Sequence, residues 1–152
     1  MMNKEKKQNY ISEMTTQFDK SEAVIVAHYQ GLTVNQLDEL RAKMREHGII
    51  FKITKNRITK LALEKTRCKE LSNLFTGPTA VALSQDAIAS AKILTNFSKE
   101  NKNLKILGGI MGNDILDVAG VKNVATLPTL DEARAKIVGI LRSPAQKIAS
   151  IL

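Results

Sequence analysis

Apolar residues recur along this chain with two different spacings. Between residues 4 and 20 they return every three or four positions, at Tyr10, Ile11, Met14 and Phe18, which predicts an amphipathic helix. Residues 23–29 are instead a continuous apolar run rich in valine and isoleucine, which predicts a buried strand. By the same criteria we predict helices over 34–48, 56–67, 86–100, 115–128, 129–142 and 143–152, and strands over 49–55, 76–84 and 104–112.

Strands that alternate with helices favour a layered fold. We predict an α/β sandwich built from βαβ units on a mixed sheet, with a C-terminal helical appendage. The predicted division is a domain over residues 1–127 and a helical segment over 128–152. Within the segment, Ser143 and Pro144 predict a break, with the serine as N-cap and the proline as the first residue of a new helix.

Composition limits the class of protein. The chain has 152 residues, of which 43% are hydrophobic and 4% aromatic, so an aliphatic core can form. No apolar run approaches the roughly 20 residues needed to span a membrane. The charged N-terminus has no apolar segment behind it and is not a secretory signal, and the single cysteine fits a reducing compartment.

The positive charge is concentrated in one part of the chain. The net charge is +8, and residues 41–69 carry ten Lys or Arg against two Asp or Glu. Residues 1–40 carry four cations and six acids, and residues 70–152 carry nine and seven. A concentrated basic block is typical of a surface that binds a polyanion. A solvated basic surface without a partner is the alternative.

The stretch FKITKNRITK, residues 51–60, forms the centre of the basic block. Strand alternation places Phe51 and Ile53 on the core face and Lys52 on the other. Asn56 stands where a helix N-cap is expected. The predicted phosphate site at this helix N-terminus has six cations: Lys52, Lys55, Arg57 and Lys60, joined by Arg41 and Arg45 of the preceding helix. Alternatively, Asn56 only caps the helix and the cations only solubilise it.

The sequence offers little for catalysis. GGIMG, residues 108–112, lacks the Lys-Ser/Thr of a P-loop and the spacing of a dinucleotide fingerprint, so a tight turn or bulge explains it better. No Ser-His-Asp set and no paired carboxylates occur. We predict no enzyme activity, no cofactor and no metal. A small phosphate-binding enzyme that uses this glycine turn is the alternative.

The C-terminal segment carries two apolar stripes. Leu130, Ala133, Ile137, Ile140 and Leu141 form the first, and Ile148, Ile151 and Leu152 begin the second. A core that is complete by Pro128 leaves at least the second stripe uncovered, and an exposed apolar helix face indicates a partner site. In the alternative, both stripes fold back onto the sheet.

Several blocks taken together resemble a known family. They are AHYQGLTVNQLDELRAKMREHGIIFKITKNRITKLAL, LFTGPTAVALS, LKILGGIMG and ATLPTLDEARAKIVGILRSPAQKIASIL. In this order, from about residue 20 to the end, they resemble the bacterial large-subunit ribosomal protein ten family, the stalk-base proteins.

The resemblance implies a structural protein at the base of the large-subunit stalk. Its partners would be large-subunit rRNA, the neighbouring large-subunit ribosomal protein eleven, and acidic stalk-protein dimers that recruit translational GTPases. The dimers would bind the C-terminal helix, here at Ile148, Ile151 and Leu152. The rRNA-facing residues it implies are Gly31, Leu32, Thr33, Arg41, Arg45, Lys55, Asn56 and Arg57. The Gly77-Pro78-Thr79 turn is expected to be structural.

Two expectations qualify the resemblance. Family members usually continue beyond this point, so a sequence that ends at Leu152 without a C-cap predicts either truncation or a short stalk arm, and weak dimer binding. An RNA-binding ribosome-assembly factor that uses the same rRNA site is the alternative function. The implied compartment is the bacterial cytoplasm, with an organellar ribosome as the second option.

Overall fold

The computed structural model describes residues 4–66 and 68–152. The helices are α1 (Lys4–Lys20), α2 (Val34–Glu46), α3 (Asn56–Leu63), α4 (Ala87–Glu100), α5 (Val118–Thr126) and α6 (Leu130–Ile151), and a 3₁₀ helix spans Lys69–Leu74. The strands are β1 (Ala23–His28), β2 (Ile50–Ile53), β3 (Thr79–Ser84), β4 (Lys105–Met111) and β5 (Asp114–Asp117). No helix among the described residues is both long enough and apolar enough to cross a membrane.

The five strands form one sheet in the order β2-β3-β1-β4-β5. The α/β sandwich class is confirmed, with a long C-terminal helix. The pairing differs from the mixed sheet we expected, because every neighbouring pair is antiparallel. β1 and β2 do run parallel across α2, but β3 lies between them, and β1 lies between β3 and β4 in the same way. The first four strands therefore make two interleaved split βαβ units, a ferredoxin-like arrangement.

Each face of the sheet has its own core. On the first face, Ile25 and Ala27 of β1 pack with Leu40 and Met44 of α2 and with residues of α4 and α5. On the second face, Val24 and Val26 of β1 pack with α1, α3 and the 3₁₀ helix. The alternation in β1 assigns successive side chains to opposite faces. Since both faces are covered, β1 reads as the continuous apolar run seen in the sequence.

The glycine segment 108–112 lies in β4 and the turn that follows it. The register between β1 and β4 shifts at Val26 and Ala27, which pair with Gly108 and Ile106, so Leu107 is the extra residue of a bulge. Gly112, at φ +65°, turns the chain into β5. The helix predicted to begin at 115 is wrong at its start, because Ile115 pairs with Ile110 as part of β5. Helix α5 begins only at Val118.

The C-terminal segment is one continuous helix rather than two. α6 runs for 22 residues with Pro144 inside it, so the predicted break at Ser143 is wrong. Proline removes one N–H but holds its own φ in the helical range, and an exposed helix can leave the unpaired carbonyl to water. None of the α6 residues, all of which the structure describes, is buried. The tail therefore does not fold back onto the sheet.

Candidate nucleic-acid interface

Four loops meet at one end of the sheet, which we call the loop edge. Because β1 runs antiparallel to β3 and β4, the residues after β1 lie beside those that precede β3 and β4. The residues after β2 reach the same end, since Ile53 pairs with Ala80. The loop edge comprises residues 29–33, 54–57, 76–79 and 101–105. These stretches contain four lysines or arginines and no aspartate or glutamate.

The first loop contains Gly31, Leu32 and Thr33. Gly31 has φ +90°, a conformation that glycine adopts without strain. The Leu32 amide closes a turn by donating to the Tyr29 carbonyl at 3.2 Å. Thr33 caps α2 in a reciprocal capping box with Gln36, as its position predicted. Gly31 and Thr33 are exposed and Leu32 is half-buried, so this loop presents backbone and a hydroxyl rather than charge.

Asn56 is not the helix cap that we predicted. Lys55 occupies the N-cap position of α3, without a capping side-chain hydrogen bond, and Asn56 is the first helical residue. Its amide nitrogen donates to the Gly77 carbonyl at 2.6 Å, and its amide oxygen accepts a hydrogen bond from the Thr79 hydroxyl. Both polar atoms of the Asn56 side chain thus form hydrogen bonds with the 76–79 turn. These bonds support the expectation that the turn has a structural role.

The N-terminus of α3 lies in a basic environment. Lys55 and Arg57 are exposed on either side of Asn56, and Lys60 is half-buried one turn into the helix. No side chain caps the first N–H groups, which together with the helix dipole favour an anion. Among the described residues, no ion pair involves Arg57 or Lys60. The structure brings these three predicted cations together.

Lys52 is placed differently. It pairs with Val81 in the sheet and so points to the face that α1 covers. Its ammonium group lies 2.8 Å from the Glu13 carboxylate of α1, and this hydrogen bond holds the pKa of Glu13 below its usual range. Phe51 packs against the opposite core, as predicted. Ile53, which was predicted to share that core face, is instead 39% exposed and belongs to neither core. Lys52 nevertheless makes an intramolecular ion pair rather than standing at the loop edge.

Arg41 and Arg45 lie along α2, away from the loop edge. α2 begins after Thr33 and runs toward the opposite end of the sheet, so Arg45 is about 18 Å along the helix from that cap. α2 also packs on the first face, whereas α3 packs on the second. Arg41 lies 3.0 Å from Asp38 in an exposed ion pair. The two arginines therefore do not join the cations of α3 in one cluster.

The structure adds two cations that the sequence reasoning missed. Lys102 and Lys105 are exposed in the loop that leads into β4, and Lys105 pairs with His28 of β1. Lys102 and Lys105 are 33 and 36 residues beyond the end of the basic block at residue 69, so charge density along the chain could not reveal them. The only available signal was the local run NKNLK, which lacks an acid.

The predicted dimer-binding residues lie on the exposed helix α6. Ile148 is 62% exposed, Ile151 85% and Leu152 fully exposed. Leu130, Ile137 and Leu141 precede them at heptad-like spacing, so the two stripes of the sequence become one continuous seam. Among the described residues, the ion pair that joins α6 to the rest of the protein lies at the base of the helix, where Lys92 of α4 is 2.6 Å from Glu132.

The described residues contain no group of three or more His, Cys, Asp or Glu side chains that could hold a metal ion. His28 lies 2.6 Å from the Thr76 carbonyl and takes part in organising the 76–79 turn. The remaining features are the loop edge, which is basic and contains no aspartate or glutamate, and the exposed apolar seam of helix α6.

Comparison with known proteins identifies the class and then the family. The family model for ribosomal protein L10 matches residues 2–99. The large ribosomal subunit protein uL10 of Pelagibacter ubique is 74% identical over 151 residues, covering 99% of this chain and 91% of that protein. The uL10 protein of Rhodospirillum rubrum is 46% identical over 150 residues, covering 99% and 87%. That of Parvibaculum lavamentivorans is 49% identical over 146 residues, covering 96% and 85%.

These relatives are structural proteins of the large ribosomal subunit, and they define the class. The chain belongs to the ribosomal protein L10 family. It is therefore a ribosomal protein rather than an enzyme, and its place is the bacterial cytoplasmic ribosome. The enzyme alternative for the GGIMG segment is wrong, and the packing of β4 and the turn that follows it account for those glycines.

Proposed function

We propose that this protein is the rRNA-binding base of the large-subunit stalk. Residues 1–127 form the domain that grips large-subunit rRNA through the loop edge, next to large-subunit ribosomal protein eleven. Residues 128–152 form an arm that holds acidic stalk-protein dimers, which recruit translational GTPases. The function is scaffolding, with one end on folded RNA and the other offering an apolar helix.

The acid-free loop edge is the observation that supports rRNA binding. Lys55 and Arg57 are exposed beside the uncapped start of α3, and Lys102 and Lys105 extend the charge across β1 to β4. Of the other cations of the basic block, Lys52 pairs with Glu13. Among the described residues, Arg57, Lys102 and Lys105 take part in no ion pair, so they can contact phosphate groups.

The chemistry of the loop edge suits folded RNA better than single strands. Base-stacking platforms require exposed aromatic rings. Tyr29 is half-buried and is the only aromatic residue in the four loops. Backbone groups, a capping hydroxyl and lysine or arginine side chains instead match recognition of double-stranded RNA through phosphates, 2′-hydroxyls and shape.

The α6 seam supports the proposed dimer binding. Its apolar residues face solvent along a helix of 22 residues, which corresponds to about 33 Å. Lys136, Arg142 and Lys147 flank the seam and are suited to an acidic partner at the rim of a helix-in-groove contact. The proposed role of this arm rests on that pairing of an apolar stripe with cations.

The first test is the salt dependence of rRNA binding. A transcript of large-subunit rRNA titrated with the protein should give a log–log salt slope of about −3 to −5, if four to six phosphates are neutralised. A slope near zero would exclude the loop edge as the contact. Retention on mature large subunits after a high-salt wash would separate a stable ribosomal component from an assembly factor that leaves.

Single substitutions then locate the contact. Arg57→Ala and Lys55→Ala should each weaken binding by about 1–3 kcal/mol if they make charge-assisted contacts with phosphate, with the fold intact by circular dichroism. Lys136→Ala removes the same charge from exposed α6 and should change binding little. Equal losses at all three positions would mean that only net charge is being measured.

A further inference from the structure

Two amide hydrogen bonds join the loop 101–105 to its neighbours, one to the loop 29–33 and one to the first turn of α2. The Asn103 side-chain nitrogen donates to the Gly31 carbonyl at 2.7 Å. The Gln36 side-chain nitrogen donates to the Asn101 side-chain oxygen, also at 2.7 Å. A Cβ on Gly31 would lie 3.3 Å from the Asn103 side chain, so the two loops are in close contact. The position of either loop therefore depends on the other.

The loop 101–105 also has a firm anchor in the core. Leu104 is completely buried against the first face of the sheet, and the Ser98 hydroxyl donates to its carbonyl at 2.8 Å. Lys102 and Lys105 lie on either side of this anchor and are exposed. Within the described part of the chain, neither lysine takes part in an ion pair. Both lysines therefore flank a buried anchor and have no acidic partner in an ion pair among the described residues.

The two lysines extend the basic surface beyond the reach of α3. Lys105 and His28 are paired and point to the second face, where α3 also packs. Strands β2 and β4 are three inter-strand spacings apart in the sheet, a distance of about 14 Å. One phosphate group cannot cover that distance, so cations at both ends address different phosphates.

We propose that Lys102 and Lys105 form the second half of the rRNA phosphate contact, opposite Lys55 and Arg57. In this arrangement Asn103 is a positioning residue, because its amide holds the Gly31–Thr33 loop between the two basic groups. This inference rests on the proposed rRNA binding and assigns a new part of the same surface.

The matched comparison uses two double variants that each remove two positive charges. Lys102→Ala with Lys105→Ala should lower affinity for the large-subunit rRNA transcript about fivefold per lysine at 0.1 M salt, and should reduce the magnitude of the salt slope by about 1.4–1.8. Lys136→Ala with Lys147→Ala, both on exposed α6, should leave affinity and slope nearly unchanged.

The outcomes distinguish failure of the Lys102 and Lys105 contact from failure of the proposed rRNA binding. If the wild-type protein binds with the expected slope and the two double variants behave alike, the second contact is overturned and the proposed function stands. If the wild-type slope is near zero, both fail.

Asn103 has its own test. Asn103→Ala should weaken rRNA binding while leaving the salt slope unchanged, since no charge is removed. It should also speed hydrogen exchange of the Leu32 amide, which closes the turn held by Asn103. Asn35→Ala, at an exposed position on α2, is the control. Faster exchange without loss of rRNA affinity would overturn the positioning role.

Discussion

At the scale of single residues, close backbone approach explains the paired glycines of β4. A Cβ on Gly109 would lie 2.6 Å from the Val24 carbonyl oxygen and 3.2 Å from the Ile25 Cα. A Cβ on Gly108 would lie 2.7 Å from the Leu116 carbonyl oxygen. Both neighbours are strand backbone, which cannot move aside as a side chain can. These glycines therefore let β4 pack between β1 and β5.

A pair of glycine substitutions tests this explanation. Gly109→Ala should lower the free energy of unfolding by about 1–3 kcal/mol, because the added methyl group overpacks the sheet. Gly139→Ala meets no atom within 4 Å in α6 and should stabilise that helix by about 0.5–1 kcal/mol. Urea denaturation measures the first change and helical circular dichroism the second. A Gly109→Ala protein as stable as the wild type would contradict the packing argument.

At the scale of secondary structure, α6 is held at its first turn and exposed beyond it. Thr129 caps the helix in a reciprocal capping box with Glu132. Glu132 also accepts a hydrogen bond from Lys92. One carboxylate therefore both starts the helix and ties it to α4. The direction in which the arm leaves the domain depends on this first turn.

The Lys92–Glu132 contact predicts a pH dependence. The Lys92 hydrogen bond, followed by that from the Thr129 backbone, holds the pKa of Glu132 below its usual range. A carboxylate with a lowered pKa stabilises the folded state above its ordinary pKa, and that stabilisation is lost as pH falls through the folded value. We expect the link between α6 and α4 to loosen only in acid.

A carboxyl titration by NMR would check this dependence. Lys92→Ala should raise the pKa of Glu132 toward its usual range. Lys136→Ala should raise it only slightly, because Lys136 makes the smallest of the contributions that lower this pKa. The same pKa in the Lys92→Ala protein and in the wild type would show that the contact does not persist in solution.

Pro144 provides a second test within α6. A continuous helix through Pro144 leaves the Ile140 carbonyl without its intrahelical donor. Pro144→Ala restores that donor and should stabilise the helix locally by about 3 kcal/mol, seen as slower hydrogen exchange around residue 144. Ser143→Ala should leave helicity unchanged, because no second helix begins there. Lower helicity in Ser143→Ala would instead favour two capped segments.

At the scale of the whole molecule, the two proposed binding surfaces belong to different parts of the protein. The loop edge is formed by the ends of β1 to β4, whereas the apolar seam lies on a helix without a buried residue among those described. Changes confined to the seam should therefore leave rRNA binding intact. This independence is expected if the protein is the scaffold proposed above, which binds RNA at one end and a protein partner at the other.

Titration with purified acidic stalk dimers tests the arm. Because the seam continues through Pro144, we expect measurable binding, weakened at least tenfold by Ile148→Asp, since a charge would enter the apolar contact. Ser150→Asp adds the same charge about half a turn away and should have a smaller effect. Both variants should bind rRNA as the wild type does. No dimer binding by the wild-type protein would remove the stalk-base proposal for the arm.

The sequence alone determined the helices and strands whose pattern is local. The Thr33 cap and the opposite sides of Phe51 and Lys52 follow from spacing within a few residues, and the structure has them. The apolar residues of each C-terminal stripe were also readable, but their union into one seam was not. The family was also readable, because its succession of blocks lies along the chain. Periodicity carries this information for the helices that pack on the sheet, because one face of each is buried.

Only the tertiary structure decided how separated residues combine. β5 is four residues long and is defined by its pairing with β4, and the antiparallel order depends on which strand lies between which. Asn56 looked like a cap, but the 76–79 turn uses both ends of its amide. Contacts between residues distant in sequence place Lys102 at the loop edge. A contact of the same kind pairs Lys52 with Glu13. Such contacts leave no periodic trace in the chain, so the basic surface could be located only once the strands were paired.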